Sequence, residues 1–144
     1  DFYLENGISV VTFNYRGFGL SEGMPSIPLI RKDAEVVANY VRSIVGPNAR
    51  IGAQLAIGGT FAVHLARKGL VDFLYADRTF SALDEVPKYS MGTWAKHGLK
   101  FFTGWWDNDL TRDYVFTSCY KVIAQAINDE VIEEGASLKT GVSQ

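Results

Sequence analysis

The chain has 144 residues, of which 47% are apolar and 21% are charged, a composition typical of a folded globular domain. Its 14 basic and 16 acidic residues give a formal charge of -2 without a long run of either sign, which excludes a basic interface for nucleic acid. The single cysteine, Cys119, cannot form an internal disulfide, and no CxxC motif or Cys/His cluster is present, so we predict no metal site and no cofactor.

The first predicted element is a strand. Ile8–Tyr15 is an almost continuous β-branched and aromatic run, which indicates a strand buried on both faces. It is far shorter than the ~20 residues that cross a bilayer, and we predict no transmembrane segment anywhere in the chain. After a turn rich in glycine, serine and proline, apolar residues recur at helical spacing over Leu29–Val45, and Gly46 and Pro47 end that predicted helix.

The rest of the chain alternates predicted strands and helices. This alternation predicts an α/β fold, with one mostly parallel sheet and flanking helices, because parallel strands need helical crossovers. We expect a single domain over residues 1–144. The remaining predicted elements are strands at Arg50–Leu55, Val71–Ala76 and Cys119–Gln125, a helix at Thr60–Lys68 that Gly69 ends, and a helix at about Ile132–Thr140.

A long segment, Leu83–Thr117, separates the third predicted strand from the fourth. It exceeds an ordinary connection and contains Trp94, Trp105 and Trp106, so we expect an inserted helical excursion. Three interpretations stay open: a cap that lines a hydrophobic acyl pocket, a surface for a partner, or cap helices whose aromatic side chains pack against each other.

The turn after the first predicted strand carries a family resemblance. Asn14–Gly23 resembles the N-Y-R-G-x-G-x-S-x-G signature of intracellular α/β-hydrolase-domain proteins. Its glycines permit positive φ angles and a sharp exit from the strand, and nearby carbonyls or carboxylates can anchor Arg16. The alternative to a substrate-binding role is that the segment only shapes the turn.

In that family the next strand ends in the nucleophile elbow, G-x-S-x-G. Gln54–Gly59 occupies this place, and counting back from its paired glycines puts Ala56 at the serine position and Ile57 at the backbone N–H of the oxyanion hole. Gln54 would then replace the first glycine and add a side chain where close packing wants none. Alternatively, one residue has been lost, because Ile51–Gln54 also resembles the strand before that glycine.

Both alignments lack the nucleophile. The sequence has no serine between Ser43 and Ser81, so a small shift of register cannot restore one. Alanine has no hydroxyl and cannot form an acyl-enzyme. Natural degeneration of the elbow explains both Ala56 and Gln54, whereas an engineered serine-to-alanine change explains only Ala56.

Two further segments extend the resemblance. Ala76–Ser81 is similar to the family's A-D-R-T-F-S segment. Asp77 and Arg78 fall at a carboxyl strand end, where open α/β sheets place their sites, and the alternative for them is a structural ion pair or loop clamp. The resemblance of the loop after the fourth strand implies that Asp129 is the acid of the triad. The alternative for Asp129 is a solvated carboxylate or a helix cap.

The catalytic histidine has no clear counterpart. His64 falls within the predicted helix after the elbow, where a packed or surface role is expected. His97 falls in the excursion, where a lid-like catalytic role is the alternative to a structural one. The family places this histidine beyond one further strand, so we expect the chain to cover only the middle of such a domain.

The resemblance implies a hydrolase homologue that has lost serine catalysis and acts as a binding or scaffold subunit, with a protein partner or assembly. It also implies an intracellular location. The alternative is a serine hydrolase acting on an ester, thioester or amide bond of a small acyl substrate. In that case the nucleophile has been mutated or misassigned, and the histidine lies outside this segment. A third reading is a serine-independent chemistry on the same fold.

Overall fold

The computed structural model describes residues 2–55, 59–79, 110–125 and 137–143. These ranges form an α/β arrangement in which a small parallel sheet is flanked by helices. In chain order the elements are α1 (Phe2–Glu5), α2 (Ile27–Val45), β1 (Gly52–Leu55), α3 (Gly59–Arg67), β2 (Phe73–Asp77), α4 (Leu110–Val115), β3 (Tyr120–Ala124) and α5 (Leu138–Ser143).

Three of the four predicted strands pair in parallel, in the order β1-β2-β3. The register places Ala53 of β1 beside Leu74 of β2, and Leu74 beside Lys121 of β3. β2 is the central strand, and its Leu74 and Ala76 are fully buried. The prediction of one parallel sheet with these three strands is confirmed, and this sheet is the frame of the fold.

The prediction of a buried strand at Ile8–Tyr15 is wrong. This segment is not paired with the sheet in the described part of the chain, and Ile8 and Val11 are 50% and 60% exposed. An apolar, β-branched run favours a strand only where a neighbouring backbone accepts and donates its hydrogen bonds. Such pairing is a long-range property, and the local sequence does not specify it.

The predicted helix at Leu29–Val45 is confirmed as α2, which begins two residues earlier. Ser26 is extended at its N-cap, and Pro28 lies in its first turn, where a missing N–H costs nothing. Gly46 ends the helix with a φ of 85°, a conformation that a side chain would strain, and its N–H donates to the carbonyl of Arg42.

The helix predicted at Thr60–Lys68 is confirmed as α3, which packs against both the sheet and α2. One buried cluster joins Val63 of α3, Leu74 of β2, Tyr114 of α4 and Leu138 of α5. A second cluster joins α2 to α3 through residues that include Ile30 and Phe61. The first cluster covers the face of β2 that carries Leu74, so α3 is held between the sheet and α2.

Only the last part of the helix predicted at about Ile132–Thr140 falls within the described residues. Residues 126–136 lie outside the described ranges, and α5 begins at Leu138 and continues to Ser143. Ser137 is the N-cap of this helix. Its Oγ accepts a hydrogen bond from the N–H of Thr140 at 3.2 Å. The position of this cap explains why α5 begins at Leu138.

Candidate functional site

The carboxyl ends of the three parallel strands meet at one edge of the sheet. Leu55 at the end of β1 lies beside Ala76 of β2, and Asp77 at the end of β2 lies beside Ala124 of β3. Open parallel sheets bind their ligands in the crevice outside this edge. This edge is therefore the expected position of a ligand-binding site.

The residues predicted to form that site lie outside the described residues. They are Ala56, Ile57 and Asp129, together with His97 and the tryptophans Trp94, Trp105 and Trp106. Along the chain Ala56 follows directly after Leu55, and α3 begins three residues later, at Gly59. That Ala56 and Asp129 face one crevice stays a prediction.

Gln54, which replaces the first glycine of the elbow in one alignment, lies in β1 and is exposed. Its Oε1 accepts a hydrogen bond from the hydroxyl of Tyr3 in α1. The crowding expected at this position is not found among the described residues, because the Gln54 side chain extends toward α1.

Asp77 and Arg78 close the end of β2. Arg78 Nε lies 3.1 Å from Asp77 Oδ1, and Arg78 has a φ of 48°, in the left-handed region that a non-glycine residue seldom adopts. The Arg78 N–H donates to the carbonyl of Ala124 at 2.9 Å, and the carbonyl of Thr79 accepts from the N–H of Leu138 at 2.7 Å. These contacts join β2 to β3 and α5, which supports a structural ion pair and loop clamp at this point.

The turn at Asn14–Gly23 is fastened to α2. The Arg16 guanidinium donates two hydrogen bonds to Asp33, one of them from Nε to Oδ2 at 2.6 Å. This fork holds the pKa of Asp33 below its usual value. Gly17 has a φ of 78°, and a Cβ there would lie 2.7 Å from Pro25 Cδ, so the turn requires glycine. The predicted anchoring of Arg16 by a carboxylate is confirmed.

His64 lies on α3 and faces α2. Its Nε2 is 2.6 Å from Glu35 Oε1, a contact that lowers the pKa of Glu35. The expected packed or surface role of His64 on its helix is confirmed.

A cavity of about 360 Å³ opens beside His64, between α2, α3 and α4. Sequence reasoning missed it. The available signal was the helical spacing of polar residues: Arg31 and Glu35 are four apart, and Arg67 and Lys68 follow His64 by three and four. The residues that line the cavity are Arg31, His64, Arg67, Lys68 and Asp113.

No group of three or more histidine, cysteine, aspartate or glutamate side chains in the described ranges is arranged to hold a metal ion. Cys119 is a half-buried free thiol. Within the same ranges, none of the helices has the length and apolar character needed to cross a membrane.

The chain is similar to a known protein of yeast. No family model matches the chain, and no solved structure matches it significantly. The chain is 32% identical over 92 residues to the "Uncharacterized membrane protein YNL320W" of Saccharomyces cerevisiae. The match covers 61% of this chain and 32% of that protein, so it spans about a third of the length of the relative.

Proposed function

We propose that the chain belongs to an α/β-hydrolase homologue that has lost serine catalysis and acts as a binding or scaffold subunit. Ala56 occupies the nucleophile position of this homologue, Ile57 supplies the oxyanion N–H, and Asp129 is the remaining acid of the triad. The protein binds a protein partner or a small acyl ligand at the carboxyl edge of the sheet without cleaving it.

The observation that carries the proposal is the short connection after β1. Three residues join the end of β1 at Leu55 to the start of α3 at Gly59, which is the length that a strand-turn-helix elbow needs. No serine occurs between Ser43 and Ser81, so neither the connection nor the two elements that flank it contain a serine hydroxyl.

The arrangement around the connection also supports a binding role. The three strands end at one edge, where ligands of open parallel sheets bind. The ion pair between Arg16 and Asp33 holds the turn at Asn14–Gly23, the signature turn, against α2. The turn therefore keeps a defined position even in a protein that catalyses no reaction. A site that retains the surrounding strands and turn can still bind a ligand without the nucleophile.

The proposal is tested with a fluorophosphonate probe, which phosphonylates an activated serine. We expect no labelling of the intact protein, because alanine at position 56 cannot attack phosphorus. A known serine hydrolase in the same reaction is the positive control, and a heat-denatured sample is the negative control.

Stoichiometric labelling that heat denaturation abolishes would overturn the proposal in favour of the serine hydrolase. Mass spectrometry of the labelled peptide would then identify the serine that reacts.

A further inference from the structure

The cavity between α2, α3 and α4 has an excess of positive charge. Arg31, Arg67 and Lys68 are cations, whereas Asp113 is the one carboxylate among its described lining residues. Glu35, which is bonded to His64 and lies close enough to Lys68 for their charges to interact, adds a second carboxylate beside the lining. Three cations therefore face two carboxylates, which leaves one positive charge in excess. An excess of positive charge at a partly enclosed surface attracts anions.

Two of the polar groups in the lining already have partners. Arg67 Nη1 forms an ion pair with Asp113 Oδ1, and His64 Nε2 is bonded to Glu35. Arg31 differs from them, because its Nε is buried and has no hydrogen-bond partner among the described residues. Burial lowers the pKa of Arg31, and the nearby charge of Asp113 offsets this only in part.

An unpaired donor in this position carries a free-energy cost. A buried N–H that has lost water without gaining an acceptor is destabilising, and more so on a charged group. A small rotation that turns the guanidinium toward an anion in the cavity would give Nε–H an acceptor. Guanidinium groups bind phosphate and carboxylate oxygens through parallel hydrogen bonds, which suits the planar fork of Arg31.

We propose that this cavity is a binding site for the phosphate group of a small molecule, with Arg31 as the main ligand-binding residue and Lys68 as a second cation. A phosphate group has enough oxygens to accept hydrogen bonds from Arg31 and Lys68 together, whereas the two oxygens of a carboxylate are used by a single guanidinium fork. The volume of about 360 Å³ lies in the range of small-molecule sites, roughly 300–1,000 Å³. The site is separate from the carboxyl edge of the sheet and does not depend on the hydrolase relationship.

The test uses inorganic phosphate as the probe and the arginine Nε–H resonances of the intact protein as the readout. We expect a phosphate titration to shift the Arg31 Nε–H signal with saturation, because the unpaired donor gains an acceptor. The Arg31→Lys variant assigns that signal by removing it. Chloride at matched ionic strength and acetate at matched concentration are the control titrations.

Affinity measured by calorimetry supplies the second readout. Arg31→Lys keeps the charge and loses the fork, and we expect about tenfold weaker phosphate binding. The matched control is Arg50→Lys at an exposed arginine outside the cavity, which should leave the affinity within about twofold.

The Asp113→Asn variant is expected to bind phosphate more tightly, a result that partial unfolding of the variant could not produce. It removes the competing carboxylate and releases Arg67, and we expect about fivefold tighter phosphate binding. An unmoved Arg31 signal, equal binding of acetate, or equal weakening by Arg50→Lys would each overturn the proposal. Unchanged affinity in Asp113→Asn would also overturn it.

Discussion

The side chain of Asp72 accepts a hydrogen bond from the backbone N–H of Ile51, at 2.8 Å across 21 residues of chain. The same Oδ2 lies 3.1 Å from Nη2 of Arg42 in α2. One carboxylate thus joins the start of β1, the start of β2 and the end of α2. Both hydrogen bonds favour the charged carboxylate and hold the pKa of Asp72 below its usual value, the Ile51 bond more strongly than the Arg42 bond.

The first prediction concerns this contact under acid. Because the folded pKa of Asp72 is depressed, its contribution to stability is present above the usual value of 3.8 and is lost as the pH falls through the folded value. At neutral pH, Asp72→Asn should lower the free energy of unfolding by about 1 kcal/mol, a figure reduced for the half-exposed position of the side chain. Urea unfolding at several pH values measures it.

Glu22→Gln is the matched control, because Glu22 is exposed. The difference in unfolding free energy between the wild type and Asp72→Asn should shrink as the pH falls below 3.8. A difference that stays constant down to pH values where the protein unfolds would contradict the assignment.

The second prediction concerns the pairing of Arg16 with Asp33. The two-pronged contact across 17 residues holds the signature turn on α2, and both side chains are partly buried. A double-mutant cycle with Arg16→Met and Asp33→Asn should give a favourable coupling free energy, because each single change removes the same pair of hydrogen bonds. Arg16→Lys should recover little of it, because an ammonium cannot form the parallel pair of hydrogen bonds. Additive effects of the two single changes would show that the turn is held by other contacts.

The third prediction concerns the centre of the sheet. Leu74 is fully buried in β2, among residues that include Val63 of α3 and Leu138 of α5. Leu74→Ala should cost about 2–5 kcal/mol, because it leaves a cavity that the flanking helices cannot fill. Leu29→Ala is the control at a 38% exposed leucine in α2 and should cost less than about 1 kcal/mol. Equal effects of the two changes in denaturant unfolding would show that the three-stranded sheet is not the core.

The fourth prediction concerns the proposed loss of catalysis. Ala56→Ser restores a hydroxyl without a free histidine base among the described residues, since His64 of α3 is bonded to Glu35 of α2. Hydrolysis of p-nitrophenyl acetate should therefore stay within about tenfold of the wild type, because general-base assistance contributes about 100- to 10,000-fold. A burst of p-nitrophenol equal to the protein concentration would contradict this. Loss of that burst on adding His97→Gln would identify His97 as the base.

The local elements follow from the sequence. Apolar spacing and the stop at Gly46 predicted α2, and the glycine at position 69 predicted the end of α3. Short segments that alternate with helices predicted β1, β2 and β3 to within about two residues at each end. These features depend on the conformational preferences of neighbouring residues, which the chain expresses wherever it is placed. The absence of a serine around Ala56 is likewise a property of the sequence alone.

Features that depend on residues far apart in the chain come from the packing of the folded protein. Ile8–Tyr15 has the sequence pattern of a strand but is not paired with another strand in the described part of the chain, because the pattern alone does not supply a partner backbone. The carboxylate that anchors Arg16 belongs to Asp33, 17 residues away, because α2 packs beside the turn. The cationic cavity around Arg31 exists because α2, α3 and α4 converge, and no local spacing determines how three helices pack.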